Sequence, residues 1–169
     1  MKKWVLISLA ILGAATWTFL PRFHTATAEL EADLVISITI WPMQSIHSDW
    51  YREVSVEYDG RRIAMRLFAD TGWWRGSNLY VHTSGTYVIH EGQNGCLAFT
   101  TEPTEFVDVP SGVCAKRSFV NYDEERGSRF YRGLEYLGHF HETYRDPEGV
   151  RIRFSNSSQT PEIELPEML

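Results

Sequence analysis

Residues 53–66 read EVSVEYDGRRIAMR, and their pairing can be worked out almost residue by residue. Val54, Val56 and Tyr58 alternate with Glu53, Ser55 and Glu57, the period-two pattern of a strand with one buried face. Asp59-Gly60 follows, the dipeptide favoured in a two-residue type I′ turn because both positions need positive φ. Ile63 and Met65 then alternate with Arg62, Ala64 and Arg66. With Asp59-Gly60 as the whole loop, Val56 meets Ile63 and Val54 meets Met65 on one face. On the other, Glu57 meets Arg62 and Glu53 meets Arg66, each opposed pair adding about 0.2–1 kcal/mol. One register thus yields both an apolar face and a charge-matched face, which makes this segment an antiparallel hairpin.

The rest of the chain extends the same grammar in both directions. Upstream, Leu34, Ile36, Ile38 and Ile40 alternate with Val35, Ser37, Thr39 and Trp41 until Pro42 ends the strand, and a polar connection from Met43 leads to Trp50. Downstream, Thr71–Ser77 is a glycine-bounded loop carrying Trp73 and Trp74. A second hairpin spans Leu79–Glu91 around Ser84-Gly85, a loop that sets His82 opposite Tyr87 and Tyr80 opposite Ile89. Both of its faces are apolar or aromatic, which places it centrally, covered on both sides. Short strands are expected over Cys96–Thr100 and Val113–Phe119, and the charged stretch Tyr122–Arg132 reads as a solvated loop. Leu134–Arg145 and Val150–Phe154 form a last hairpin, with Asp146-Pro147-Glu148-Gly149 suited to a type I turn. No internal repeat and no 3.6-residue period interrupt the series after the N-terminal segment. Eight or nine short strands in succession predict an all-β antiparallel sandwich or partly closed barrel, with a single curved sheet on a small helix as the alternative.

The N-terminus reads as a targeting segment. Lys2 and Lys3 precede an apolar run, Trp4–Leu20, and Ala26-Thr27-Ala28 offers the small-x-small pattern of signal cleavage. This divides the chain into a signal peptide (1–28), a β-rich domain (29–159) and an acidic, proline-bearing tail (160–169). The run also reaches the lower length that spans a bilayer, so an uncleaved anchor is the competing reading. Either way the body is expected in the periplasm or secreted. The short signal has bacterial proportions, so the sequon Asn156-Ser157-Ser158 carries no weight. The whole chain has net charge −6, and loss of Lys2, Lys3 and Arg22 makes it −9. That balance argues against nucleic acid as a partner, and against a membrane unless the anchor is retained. Cys96 and Cys114 are the two cysteines, and in an oxidising compartment they read as one disulfide rather than a reactive thiol.

Two constellations carry candidate chemistry. His139 and His141, two apart on a strand, project from one face and could share a metal ion. Gly133 followed after five residues by His139-x-His141 resembles the opening of the cupin metal motif. The resemblance stops there: Asp146 stands near the family's glutamate position, and too few residues follow for its second motif. The turn at Gly149 decides the neighbours of these histidines. A two-residue loop sets them opposite Val150, Ile152 and Phe154, whereas a glycine bulge sets them beside Thr143, Arg151 and Arg153. The second constellation is aromatic: Trp50, Tyr51, Trp73 and Trp74 stand with Trp41 at strand ends or in loops, where they either bind a ligand or close the core. Sequence motifs for nucleophilic, phosphate-binding or dinucleotide chemistry are absent. The expectation is an exported, non-catalytic module for an unidentified ligand or protein partner, without a cofactor. A metal-dependent enzyme built on His139 and His141 is the alternative.

Overall fold

A computed structural model describes residues 22–30, 33–43, 50–69, 74–114, 120–123, 128–131, 133–144 and 149–165. Four strands, β1 (His24–Glu29), β2 (Val35–Pro42), β3 (Trp50–Tyr58) and β4 (Arg61–Arg66), make one antiparallel meander. After it come β5 (Ser77–His82), β6 (Tyr87–His90), β7 (Cys96–Thr101) and β8 (Thr104–Val107). A separate ribbon pairs β9 (Val120–Asp123) with β10 (Ser128–Tyr131), and β11 (Leu134–Glu142) and β12 (Ile152–Asn156) complete the chain. The second sheet runs β12-β11-β5-β6-β7-β8. The two sheets face one another with β1 beside β12 and β4 beside β8, so the all-β sandwich is nearly closed along both edges. Among the described residues no α-helix occurs.

The core lies between the sheets. Ile36, Ile38, Ile40, Val54 and Val56 of the first sheet meet Leu79, Ile89, Phe99, Phe140 and Ile152 of the second, all fully or nearly fully buried. The hairpin at residues 50–66 has the expected register throughout, from Glu53 opposite Arg66 to Tyr58 opposite Arg61, with Asp59 and Gly60 both at positive φ. Strand β2 likewise buries Ile36, Ile38 and Ile40.

The second hairpin is central, as expected, but its register is shifted by one. Tyr80 faces Val88 and Val81 faces Tyr87. The loop is Thr83-Ser84-Gly85 rather than two residues, closed by the His82 amide bonded to the Thr86 carbonyl at 2.8 Å, with Gly85 at φ 85°. A three-residue turn ending on a left-handed glycine is the next most favoured hairpin loop. His82 Nδ1 adds local support by meeting Ser84 Oγ at 2.8 Å. In the last hairpin His141 faces Arg153 and Phe140 faces Phe154, which is the bulge register; residues 145–148 of its turn lie outside the described residues.

Three further segments depart from expectation. The charged stretch Tyr122–Arg132, expected as a loop, overlaps both strands of the β9–β10 ribbon. Val113 and Cys114 sit in a turn, and the remainder of the strand expected there lies outside the described residues. An unexpected strand, β1, runs from His24 to Glu29 across the expected cleavage site, with Ala26 and Ala28 buried in the core. A second, smaller core forms on the outer face of the six-stranded sheet around Tyr80, Val88, Ala98 and Val113. The start of the tail covers part of that face: the Ile163 carbonyl accepts from Asn78 Nδ2 at 2.7 Å, and Glu162 accepts from the Tyr80 hydroxyl at 2.9 Å. Burial, and then the Glu162 charge, push Tyr136 up to about 12.

Candidate binding site

Strand alternation puts Arg52 in phase with Val54 and Val56, so its guanidinium points between the sheets. Only 1% of the residue is exposed. A charge there must be neutralised or it would cost several kcal/mol. The neutralising group is Glu91, just past β6 on the facing sheet: Arg52 Nη1 donates to one carboxylate oxygen of Glu91, and the Ser77 hydroxyl donates to the other. Arg52 Nη2 donates to the Phe68 carbonyl at 2.9 Å. Trp74 completes the set, donating from Nε1 to Ser77 Oγ at 3.0 Å and lying 4.8 Å beneath the guanidinium. The cluster therefore ties β3, the segment after β4, β5 and the end of β6 into one unit. Arg52 Nε has no acceptor among the described residues.

A cleft of about 330 Å³ opens beside this cluster. Met65, Leu67, Phe68 and Leu97 form its apolar walls. Arg66, Glu91, Asn94 and Cys96 complete the lining. Phe68 is 71% exposed, so its ring is available to a ligand and adds little to the core. Both oxygens of Glu91 are already engaged, which fixes the carboxylate in position. Apolar walls with a few convergent polar groups are the composition of a small-molecule site.

No family model, curated protein or solved structure matches this chain. The reading of the site therefore rests on its own geometry.

The residues expected from sequence are scattered around this site. Trp74 is buried within the cluster, holding Arg52 in place; Trp73 lies outside the described residues. Trp50 donates to Glu142 at 3.1 Å and closes the same end of the sandwich. Tyr51, on the opposite face of β3, packs against Trp41 in a tilted arrangement with ring centres 5.7 Å apart. His139 and His141 do stack, 5.8 Å apart and nearly parallel. Yet His139 is buried with Nδ1 bonded to Asn78 Oδ1 at 2.7 Å, and Gly76 packs so closely that a β-carbon there would fall 2.4 Å from the imidazole. Burial, reinforced by His141, lowers the pKa of His139 to about 4.

No third donor joins the pair among the described residues. The group of three close enough to share an ion is instead His90, Cys96 and Cys114, with ligand atoms within 4.8 Å of one another. The two sulfurs are joined as the expected disulfide, which leaves no thiolate to coordinate. Burial lowers His90 to about 4 beside it. A disulfide here is compatible with an oxidising, exported compartment.

The Arg52–Glu91 cluster escaped the sequence reading. Its one local signal is the phase of Arg52 on β3; Glu91 stands 39 positions away and has no corresponding mark.

Proposed function

We propose that this chain is an exported, non-catalytic binding domain whose ligand seat is the cleft between Met65–Phe68 and Leu97. The observation that carries the reading is an exposed apolar cleft built directly on a buried ion pair. Burying Arg52 and Glu91 is a costly way to hold two sheets together, since apolar residues of similar volume commonly do as well or better. What the pair adds is a carboxylate fixed at the rim of an apolar hollow. A ligand with an apolar body and one hydrogen-bond donor matches that arrangement.

The test is titration of purified protein with N-phenyl-1-naphthylamine, an uncharged fluorophore with an apolar body and a single N–H. Saturable binding near one equivalent is expected, weakened at least fivefold by Phe68→Ala and unchanged by Ile163→Ala on the far side of the second sheet. Phe68 is too exposed for its truncation to unfold the domain. Binding that ignores Phe68→Ala, or no saturable binding, overturns the assignment.

A further inference from the structure

The start of β1 and the aromatic side chains of the first sheet meet at one end of the molecule. Every residue of β1 pairs with β2, from His24 opposite Ile40 to Glu29 opposite Val35. Ala28 is 0% exposed. A cut after Ala28 would strip this strand from the sheet and uncover the isoleucines it flanks, so the folded domain keeps residues 24–28. Only Pro21, Arg22 and Phe23 then separate the domain from the apolar run Trp4–Leu20. Three residues reach about 10 Å at most.

Phe23 begins a row across the outer face of the four-stranded sheet. Its ring centre lies 5.6 Å from Trp41, Trp41 lies 5.7 Å from Tyr51, and the Arg66 guanidinium sits 5.7 Å from the Trp41 ring. Further along the same face the side chains turn polar, with Thr25 bonded to Thr39 and Thr27 to Ser37. Among the described residues of this face, the aromatic ring contacts are thus confined to the row at the start of β1. Phe23 is 61% and Tyr51 40% exposed. Tyr144, 70% exposed, lies just beyond the Glu142 that Trp50 grips at this same end. Two cations also lie at this end: Arg22 and Arg151 are both close enough to His24 to help lower its pKa, after burial. Tryptophan, tyrosine and arginine concentrated beside an apolar segment are what the headgroup region of a bilayer selects.

We propose that Trp4–Leu20 is retained as a membrane tether, and that the row Phe23–Trp41–Tyr51–Arg66 seats the domain in the interface of the same bilayer's outer leaflet. At 17 residues the run is about as short as a span can be, which holds the domain tight against the surface. Lys2 and Lys3 fix the orientation by remaining on the cytoplasmic side. The inference does not depend on the cleft.

Two measurements on the full chain test it. Mass spectrometry of protein from native membranes should find the intact N-terminus; a chain starting at Glu29, or anywhere after Leu20, overturns the tether. Full-length protein carrying Trp4→Phe and Trp17→Phe is then reconstituted into phosphatidylcholine vesicles containing lipid brominated near the headgroup. The remaining tryptophan emission should fall by a third or more, and Phe23→Asp with Tyr51→Asp should reduce that quenching at least twofold. Both positions are surface-exposed, and an unchanged near-ultraviolet circular dichroism spectrum shows that the variant is folded. Emission untouched by the bromolipid, or quenching indifferent to the two aspartates in a folded variant, overturns the seating.

Discussion

Replacing Glu91 with glutamine is the sharpest probe of the buried cluster. Glutamine keeps the shape of the side chain and one acceptor oxygen for Arg52, so the perturbation is close to a pure loss of negative charge. The Arg52 side chain is completely buried and that of Glu91 is 5% exposed, which leaves water little room to compensate. Breaking one side of such a pair costs about 3–5 kcal/mol because the other charge remains stranded. Against a stability of about 5–15 kcal/mol for a domain, that is roughly a fifth of the total or more. At a urea dependence of roughly 2 kcal/mol per molar, the unfolding midpoint should fall by about 2 M. Arg52→Met combined with Glu91→Leu removes both charges and should lie within about 1 kcal/mol of the parent, since apolar replacement of a whole buried pair is often neutral. Urea titrations of the parent, the single variants and the double variant complete a thermodynamic cycle. A Glu91→Gln midpoint within 0.3 M of the parent, or a double variant as damaged as the sum of the singles, would refute the claim that the two sheets are coupled through this charge pair.

Acid should weaken the fold before the carboxylates titrate. His90 and His139 fall from 6.5 to about 4 on folding because burial disfavours their charged forms. Between those values the unfolded chain binds protons that the folded chain refuses. The associated stability is therefore complete above about pH 6.5 and is lost as pH falls toward 4, by as much as a few kcal/mol at about 1.4 kcal/mol per unit for each histidine. Urea midpoints at pH 7.5 and 5 should show this slope, and His139→Gln should flatten it; an unchanged slope would count against a neutral buried His139. Reducing the Cys96–Cys114 bond, which closes a loop across a separation of 18, should cost about 3 kcal/mol in the chain-entropy model. Unfolding with and without reductant measures it, and a difference below 0.5 kcal/mol would show that the loop is ordered without the bond.

The sequence by itself determined those elements whose partners are near neighbours. For the hairpin at residues 53–66, turn chemistry, alternation and two opposed charge pairs all demand one register, and each is a local property. The strand at Leu34–Ile40 was legible for the same reason. The second hairpin escaped because Ser84-Gly85 fits both a two-residue loop and the end of a three-residue one. With both faces apolar, its alternation had no polar side to reject the wrong choice. Small residues at Ala26 and Ala28 satisfy a cleavage pattern and an inward-facing edge strand equally well, and only the packing of β1 on β2 beside β12 reveals the strand. The candidate site was the least legible part. A lone arginine on an inward phase has no meaning until its counter-charge is found, and tertiary structure alone carries Glu91 from the opposite sheet to within hydrogen-bonding reach of Arg52. Local propensity fixes where the strands run; the cancellation of a buried charge is a property of two sheets meeting.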